Sequence, residues 1–128
     1  MSITSVTQFK QLEHCKMIDG SLEFFSFTYN KVRFPNLLYI NDLLRFYNIS
    51  NLTSVRQLLP NLIHILGSDE ALSISKNKDL EKLDFKKLMK IDHGSVSITD
   101  NPRLCLNDII SWSDIQDKIS KVDKHIQV

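Results

Sequence analysis

At 128 residues the chain suits a single domain, and a 42% share of hydrophobic residues is enough to build a core. Sixteen basic against fifteen acidic residues leave a net charge of +1, which is no electrostatic footprint for nucleic acid. No stretch approaches the ~20 apolar residues of a membrane span. Two cysteines, Cys15 and Cys105, with 89 residues between them, make neither a metal pattern nor a dense disulfide framework.

Met1 to Lys10 is mixed and rich in Ser and Thr, without the apolar core of a secretory signal, so the chain reads as one without an address. Val6 to Leu12 is expected to cap the N-terminal end of the domain. A phrase then begins that returns three times. Ile18-Asp19-Gly20-Ser21-Leu22-Glu23-Phe24 comes back as Ile40-Asn41-Asp42-Leu43-Leu44-Arg45-Phe46. It is echoed by Ile65-Leu66-Gly67 with Ala71-Leu72-Ser73-Ile74, and by Ile91 through Gly94-Ser95-Val96-Ser97-Ile98. Each copy is an apolar residue, a polar turn, then two apolar residues flanking a polar one. The inward pairs are Leu22/Phe24, Leu44/Phe46, Leu72/Ile74 and Val96/Ile98, whose first members lie 22, 28 and 24 residues apart. Self-similarity at this period is the mark of stacked repeats, none of which buries its own apolar face.

Gly20, Gly67 and Gly94 fall in the turn of the phrase, where positive φ or close backbone approach suits glycine. Pro35 and Pro60 open a second recurring phrase, Pro-Asn-Leu, repeated without proline at Asp84 to Ile91. Leu37/Ile40, Leu62/Ile65 and Leu88/Ile91 are expected to face inward from a second short strand, with Phe34 and Leu59 adding contacts before each proline. A third element follows each inward pair: Lys76-Asn77-Lys78-Asp79-Leu80 matches Asp100-Asn101-Pro102-Arg103-Leu104, with Asn48 as a looser copy. An Asn at a repeated corner can bond neighbouring backbone and stack from coil to coil. The basic runs 76–78 and 86–90 have acidic neighbours and read as solvated edges.

Short strands at a long period must pair in parallel between successive coils, which implies a β-helix and not a doubly wound sheet. The fold expected is therefore mainly β, a short parallel β-helix resembling a leucine-rich-repeat solenoid, over residues 13–105. From Leu106 the pattern changes. Ile109, Ile110, Trp112, Ile115, Ile119, Val122 and Ile126 lie mostly 3–4 apart, which predicts a C-terminal capping helix over 106–126.

Glu13 to Leu22 resembles the Cys-x-x-Ile-x-Gly-x-Leu opening of the receptor L domain found in the extracellular halves of insulin and epidermal growth factor receptors. Leu59 to Gly67 (Leu-Pro-Asn-Leu-x-x-Ile-x-Gly), Ala71 to Ile74, and the closing Gly94 to Cys105 followed by Trp112-Ser113-Asp114-Ile115 also fit, so the resemblance covers residues 13 to about 116. It implies a short right-handed β-helix with capped ends and an extracellular place. Family members pair the opening cysteine with one upstream, and no cysteine precedes Cys15; the module that normally receives the closing cysteine, Cys105, does not follow here. The chain is therefore expected to be a lone L domain of the stand-alone kind known in nematodes.

Residues between the inward pairs must face out. One row is Glu23, Arg45, Ser73 and Ser97, and the next is Phe25, Tyr47, Ser75 and Thr99. By resemblance to insulin receptors, whose hormone rests on this sheet, Glu23, Phe25, Arg45, Tyr47, Ser75 and Thr99 are candidates for a ligand face. The bland reading is a minor Glu23–Arg45 surface pair beside aromatics that merely cover the sheet. Asn48-Ile49-Ser50 and Asn51-Leu52-Thr53 are glycosylation sequons, Asn51 being the better acceptor if Asn48 is an internal corner. His14, His64, His93 and His125 are scattered without zinc spacing, and no phosphate loop or nucleophile motif is present, so no cofactor, metal or catalytic residue is expected. The function expected is a non-catalytic protein-binding module. The resemblance implies a soluble pseudoreceptor for an insulin-like or growth-factor-like peptide. The alternative is a scaffold solenoid with no hormone ligand, from a truncated receptor gene.

Overall fold

A computed structural model describes residues 2–4, 8, 10, 12–85 and 87–105, and the backbone of 119–122. Ten strands follow one another: β1 (Ser2–Ile3), β2 (Met17–Ile18), β3 (Leu22–Phe25), β4 (Tyr39–Ile40), β5 (Leu44–Tyr47), β6 (His64–Ile65), β7 (Glu70–Ser75), β8 (Lys90–Ile91), β9 (Ser95–Thr99) and β10 (Ile119–Val122). They form a six-stranded sheet in the order β1-β3-β5-β7-β9-β10 and a four-stranded sheet in the order β2-β4-β6-β8. Each strand–strand pairing is parallel, giving a β-solenoid of about four turns. Each coil carries one short strand, a tight turn and one longer strand, then returns along a third side. That side is marked by the bridges Thr28↔Ser50 and Ser54↔Lys82.

The register pairs like with like. Leu22, Leu44, Leu72 and Val96 are partners in series, as are Phe24, Phe46, Ile74 and Ile98, and all eight are fully buried. The expected inward positions of the second strand are also buried, from Leu37 and Ile40 to Leu88 and Ile91, as are Phe34 and Leu59. Phe24 stacks on Phe46 at 5.1 Å between centroids and meets Phe34 edge-on at 5.9 Å. Such pairs add about 0.5–1.5 kcal/mol beyond the area they bury.

The 28-residue spacing from Leu44 to Leu72 keeps this register because its surplus is absorbed at the corners. One piece is a 3-10 turn at Val55–Gln57. Ser54 caps it by accepting from Arg56 N–H, while Gln57 Oε1 accepts from the N–H groups of Thr53 and Ser54. The other is an irregularity between Glu70 and Leu72 in β7, which leaves Ala71 buried beside Leu72. Gly67 and Gly94 lock the third and fourth coils together. A Cβ on Gly67 would lie 2.0 Å from His93 O, and one on Gly94 would lie 2.8 Å from Ser68 O.

The corner after each long strand corrects the expected Asn ladder. Ser26, Asn48, Lys76 and Asp100 occupy equivalent positions, with φ of 50, 55, 57 and 58°. This left-handed step turns the next residue inward, so the buried corner slot is filled by Phe27, Ile49, Asn77 and Asn101. Asn48 is therefore one position outside the ladder and exposed; its Nδ2 donates to Ser26 Oγ at 3.2 Å. Asn77 and Asn101 form the ladder itself. Asn77 Nδ2 donates to Asn101 Oδ1 (3.0 Å) and Phe46 O (3.2 Å), and Asn101 Nδ2 donates to Ile74 O (3.0 Å). Ile49 N–H donates to Asn77 Oδ1 at 2.9 Å. The Pro-Asn-Leu corner repeats the device at the surface, where Asn61 Nδ2 donates to Pro35 O.

The ends differ from expectation. Ile3 of β1 pairs with Phe24 and is fully buried, closing the first coil, whereas of Val6 to Leu12 only Gln8, Lys10 and Leu12 lie within the described residues. The helix expected over 106–126 is corrected at 119–122, which form β10 in parallel with β9, Ile119↔Val96 and Val122↔Ile98. Beyond β9 the sheet has an edge whose N–H and C=O groups another strand can pair, and Ile119 and Val122 are β-branched residues suited to a strand. The rest of that span lies outside the described residues.

Replacing Asn77 by Leu strips the Ile49 N–H and the Phe46 carbonyl of a buried partner. A loss of about 3 kcal/mol is expected in urea unfolding, against less than about 0.5 kcal/mol for Asn48→Gly, which keeps the left-handed corner.

Candidate functional site

The outward side of the six-stranded sheet carries the two rows in register. Glu23 pairs with Arg45, Arg45 with Ser73, and Ser73 with Ser97; alongside, Phe25, Tyr47, Ser75 and Thr99 are partners in series. All eight side chains are half-buried. Parallel strands hold like positions about 5 Å apart, so neighbours in a row must interact.

Arg45 lies between two carboxylates. Its Nη1 is 3.5 Å from Glu23 Oε2 and its Nη2 is 3.0 Å from Glu70 Oε2, and Glu70 reaches it from the irregular start of β7. Partly exposed pairs of this kind contribute at most about 1 kcal/mol; their effect here is to hold the guanidinium between Glu23 and Glu70. Phe25 and Tyr47 meet edge-on with centroids 6.0 Å apart, and Lys76 Nζ lies 5.7 Å from the Tyr47 centroid. The aromatic pair and the ion group thus form one contiguous patch across β3 and β5. Ser73, Ser75, Ser97 and Thr99 continue the same surface across β7 and β9 with small hydroxylated side chains, which leave that half shallow.

Of the sequon residues, Asn48 and Asn51 are both exposed. Asn48 is not internal, which removes the reason for preferring Asn51. Asn48 directly follows Tyr47 at the end of β5; Asn51 lies beyond it on the third side, where its N–H donates to Asp79 Oδ2 at 2.8 Å.

The four-stranded sheet adds an outward row of its own. The residue before each inward Ile faces out, giving Met17, Tyr39, His64 and Lys90 in register. The period-2 rule that yields the first two rows also yields this one, but two-residue strands show too little alternation to announce it in the sequence. Met17 and Tyr39 are exposed, as is Met89 beside Lys90, and the Tyr39 and His64 rings meet at 6.4 Å. His64 Nε2 is 2.8 Å from Asp92 Oδ2, and Lys90 Nζ is 3.0 Å from Asp92 Oδ1. Among the described residues no three His, Cys, Asp or Glu side chains are grouped to hold a metal ion. Cys15 is half-buried in the first coil; Cys105 is exposed in the last, its N–H bonded to Glu81 O; neither is bridged. No described helix is long and apolar enough to cross a membrane.

Residues 14–116 match the family described as the receptor L domain. The chain is 36% identical over 118 residues to the insulin-like peptide receptor of Branchiostoma lanceolatum, an alignment covering 84% of this chain and 9% of that protein. It is 33% identical over 124 residues to the insulin-like growth factor 1 receptor of Xenopus laevis (89% of the chain, 9% of the relative). It is also 33% identical over 134 residues to the insulin receptor of the same species (97% and 10%). The chain belongs to the receptor L domain family and spans about a tenth of the length of these relatives.

The Lys90 hydrogen bond, with His64 adding a second, holds the Asp92 carboxyl below its ordinary value of 3.8 against the desolvation that opposes it. A lowered folded pKa stabilises above the unfolded value and ceases to do so as pH falls through the folded one. Asp92→Asn should therefore lower the melting temperature at pH 6, and the gap to the unmodified chain should narrow as pH falls below the ordinary value of 3.8 and through the lowered folded one. A gap independent of pH would show that the Asp92 charge contributes nothing.

Proposed function

We propose that this receptor L domain is a non-catalytic module that captures a protein or peptide ligand on the outward face of its six-stranded sheet. The observation that carries the reading is the Phe25–Tyr47 pair set in register beside the Glu23–Arg45–Glu70 group. Aromatic and Arg side chains are the residues most enriched among interface hot spots, and here each already has a partner that restrains its rotamer, which reduces the entropy lost on binding. Ser75 and Thr99 form the shoulder against which a ligand backbone could lie closely. The relatives named as receptors for insulin-like peptides and insulin-like growth factor 1 favour a ligand of that class. We place the module outside the cell as a soluble pseudoreceptor, with Asn48 and Asn51 as glycan acceptors.

A second reading has an observation of its own. Arg45 already has two carboxylate partners and Tyr47 already has Lys76 beside its ring, so the patch is satisfied without a ligand. A scaffold solenoid needs no more than this.

Tyr47→Glu and Phe25→Glu distinguish the two. In the ligand reading each variant melts within about 3 °C of the original chain but loses at least tenfold in affinity for an insulin-like peptide that the original chain captures in surface plasmon resonance. Unchanged affinity in both variants would remove the face from the reading, and absence of capture by the original chain would favour the scaffold. Intact mass of the protein from its native source, before and after glycosidase, tests the placement. A hexose-bearing mass increment is expected, lost in the Asn48→Gln/Asn51→Gln chain; a bare polypeptide mass would count against secretion.

A further inference from the structure

A cleft of about 400 Å³ opens at the first coil, at the corner where the third side runs into the four-stranded sheet. Lys10, Lys31 and Arg33 line it, with His14 among them, and half-buried Val32 and Pro35 supply its apolar surface. Glu13 is the acid in the lining, and its carboxylate lies 3.5 Å from His14 Nε2. No acid lies within 4.0 Å of the Lys10, Lys31 or Arg33 charges among the described residues. In a chain with a net charge of only +1, Lys10, Lys31 and Arg33 set three cations against one acid in a single concavity, which makes the cleft locally positive. Concave walls focus that field. Lys31 is held in the left-handed region at φ 54°, as are six other non-glycine residues among those described.

We infer that this cleft binds a sulfated polysaccharide. The cations stand on long exposed side chains, with no buried donor converging on one point. Such a site suits anions repeated along a chain better than a single chelated ion. Val32 and Pro35 offer an apolar surface for the C–H face of a sugar ring, which a chain of carboxylates on flexible peptide would not use. The corner is the one not shared with the six-stranded sheet, so this site stands or falls apart from the peptide-binding face.

The test uses the full chain and a heparin hexasaccharide, with affinity measured calorimetrically. Neutralising about three anionic groups should make affinity fall roughly tenfold or more between 50 and 200 mM NaCl. Lys31→Asn combined with Arg33→Gln, in which Asn accepts the left-handed backbone, should weaken binding about tenfold. Lys78→Gln with Arg103→Gln removes the same charge from exposed positions elsewhere and should weaken it less than twofold. Lys10→Gln, on an exposed side chain, should cost about threefold and carries the comparison if the double variant melts more than about 5 °C lower. Absence of binding by the original chain, or equal losses in the two double variants, would overturn the proposal. Equal competition by poly-glutamate of matched charge would overturn it as well, since the cleft would then select acidic peptide.

Discussion

A strand of four residues with two inward side chains cannot hold itself together. Its hydrogen-bonding groups and its apolar face both require a neighbouring coil presenting the same pattern at the same height. In-register parallel stacking is thus the constraint on which the rest of this molecule depends. A slip of one residue would carry Leu44 and Phe46 to solvent and bring Arg45 and Tyr47 into the core. Three devices prevent it. The buried Asn77–Asn101 pair bonds the backbone of the preceding coil at one height only. Gly67 and Gly94 let two turns approach more closely than any side chain would permit. The Phe24–Phe46–Phe34 cluster fixes the first two coils by shape.

Corners are where this architecture tolerates difference. The second spacing, from Leu44 to Leu72, is six residues longer than the first, 28 against 22, yet the outward residues fall in the same rows, because the 3-10 turn and the irregularity at Ala71 lie outside the four positions that set them. Each outward position is therefore contributed independently by one coil. A patch of aromatic and charged residues on β3 and β5 can adjoin hydroxylated residues on β7 and β9 with no change to the core beneath.

The inward pairs and both rows of the six-stranded sheet were legible because a period of two, repeated four times, leaves only one consistent register. What was not legible had weaker signals. Asn48 looked like a ladder residue because it stands in the corner phrase, but the left-handed step that inserts one residue before the buried slot has no fixed residue type: Ser26, Asn48, Lys76 and Asp100 all serve. Ile119 and Val122 are three apart, which satisfies a helix period, and the open edge of β9 decided between helix and strand. Ser2–Ile3 and the two-residue strands of the second sheet are too short to show any period, so β1 and the row from Met17 to Lys90 needed the backbone to be seen.

The charges are distributed in a way that separates two kinds of contribution to binding. On the six-stranded sheet, Arg45 is matched by Glu23 and Glu70. A ligand settling there would have to displace or share those pairs, so its net gain would come mainly from covering Phe25 and Tyr47, a short-range term that slows dissociation. At the first coil no carboxylate among the described residues lies within 4.0 Å of Lys10, Lys31 or Arg33, and the field they project reaches about a Debye length into solution, which raises encounter rates with anions and declines with salt. If both proposed sites operate, the polyanion would concentrate the protein on a surface while the sheet face stays open. Ionic strength should then separate the two activities: capture on the polyanion would weaken steeply as salt rises, whereas apolar contact with Phe25 and Tyr47 would hold.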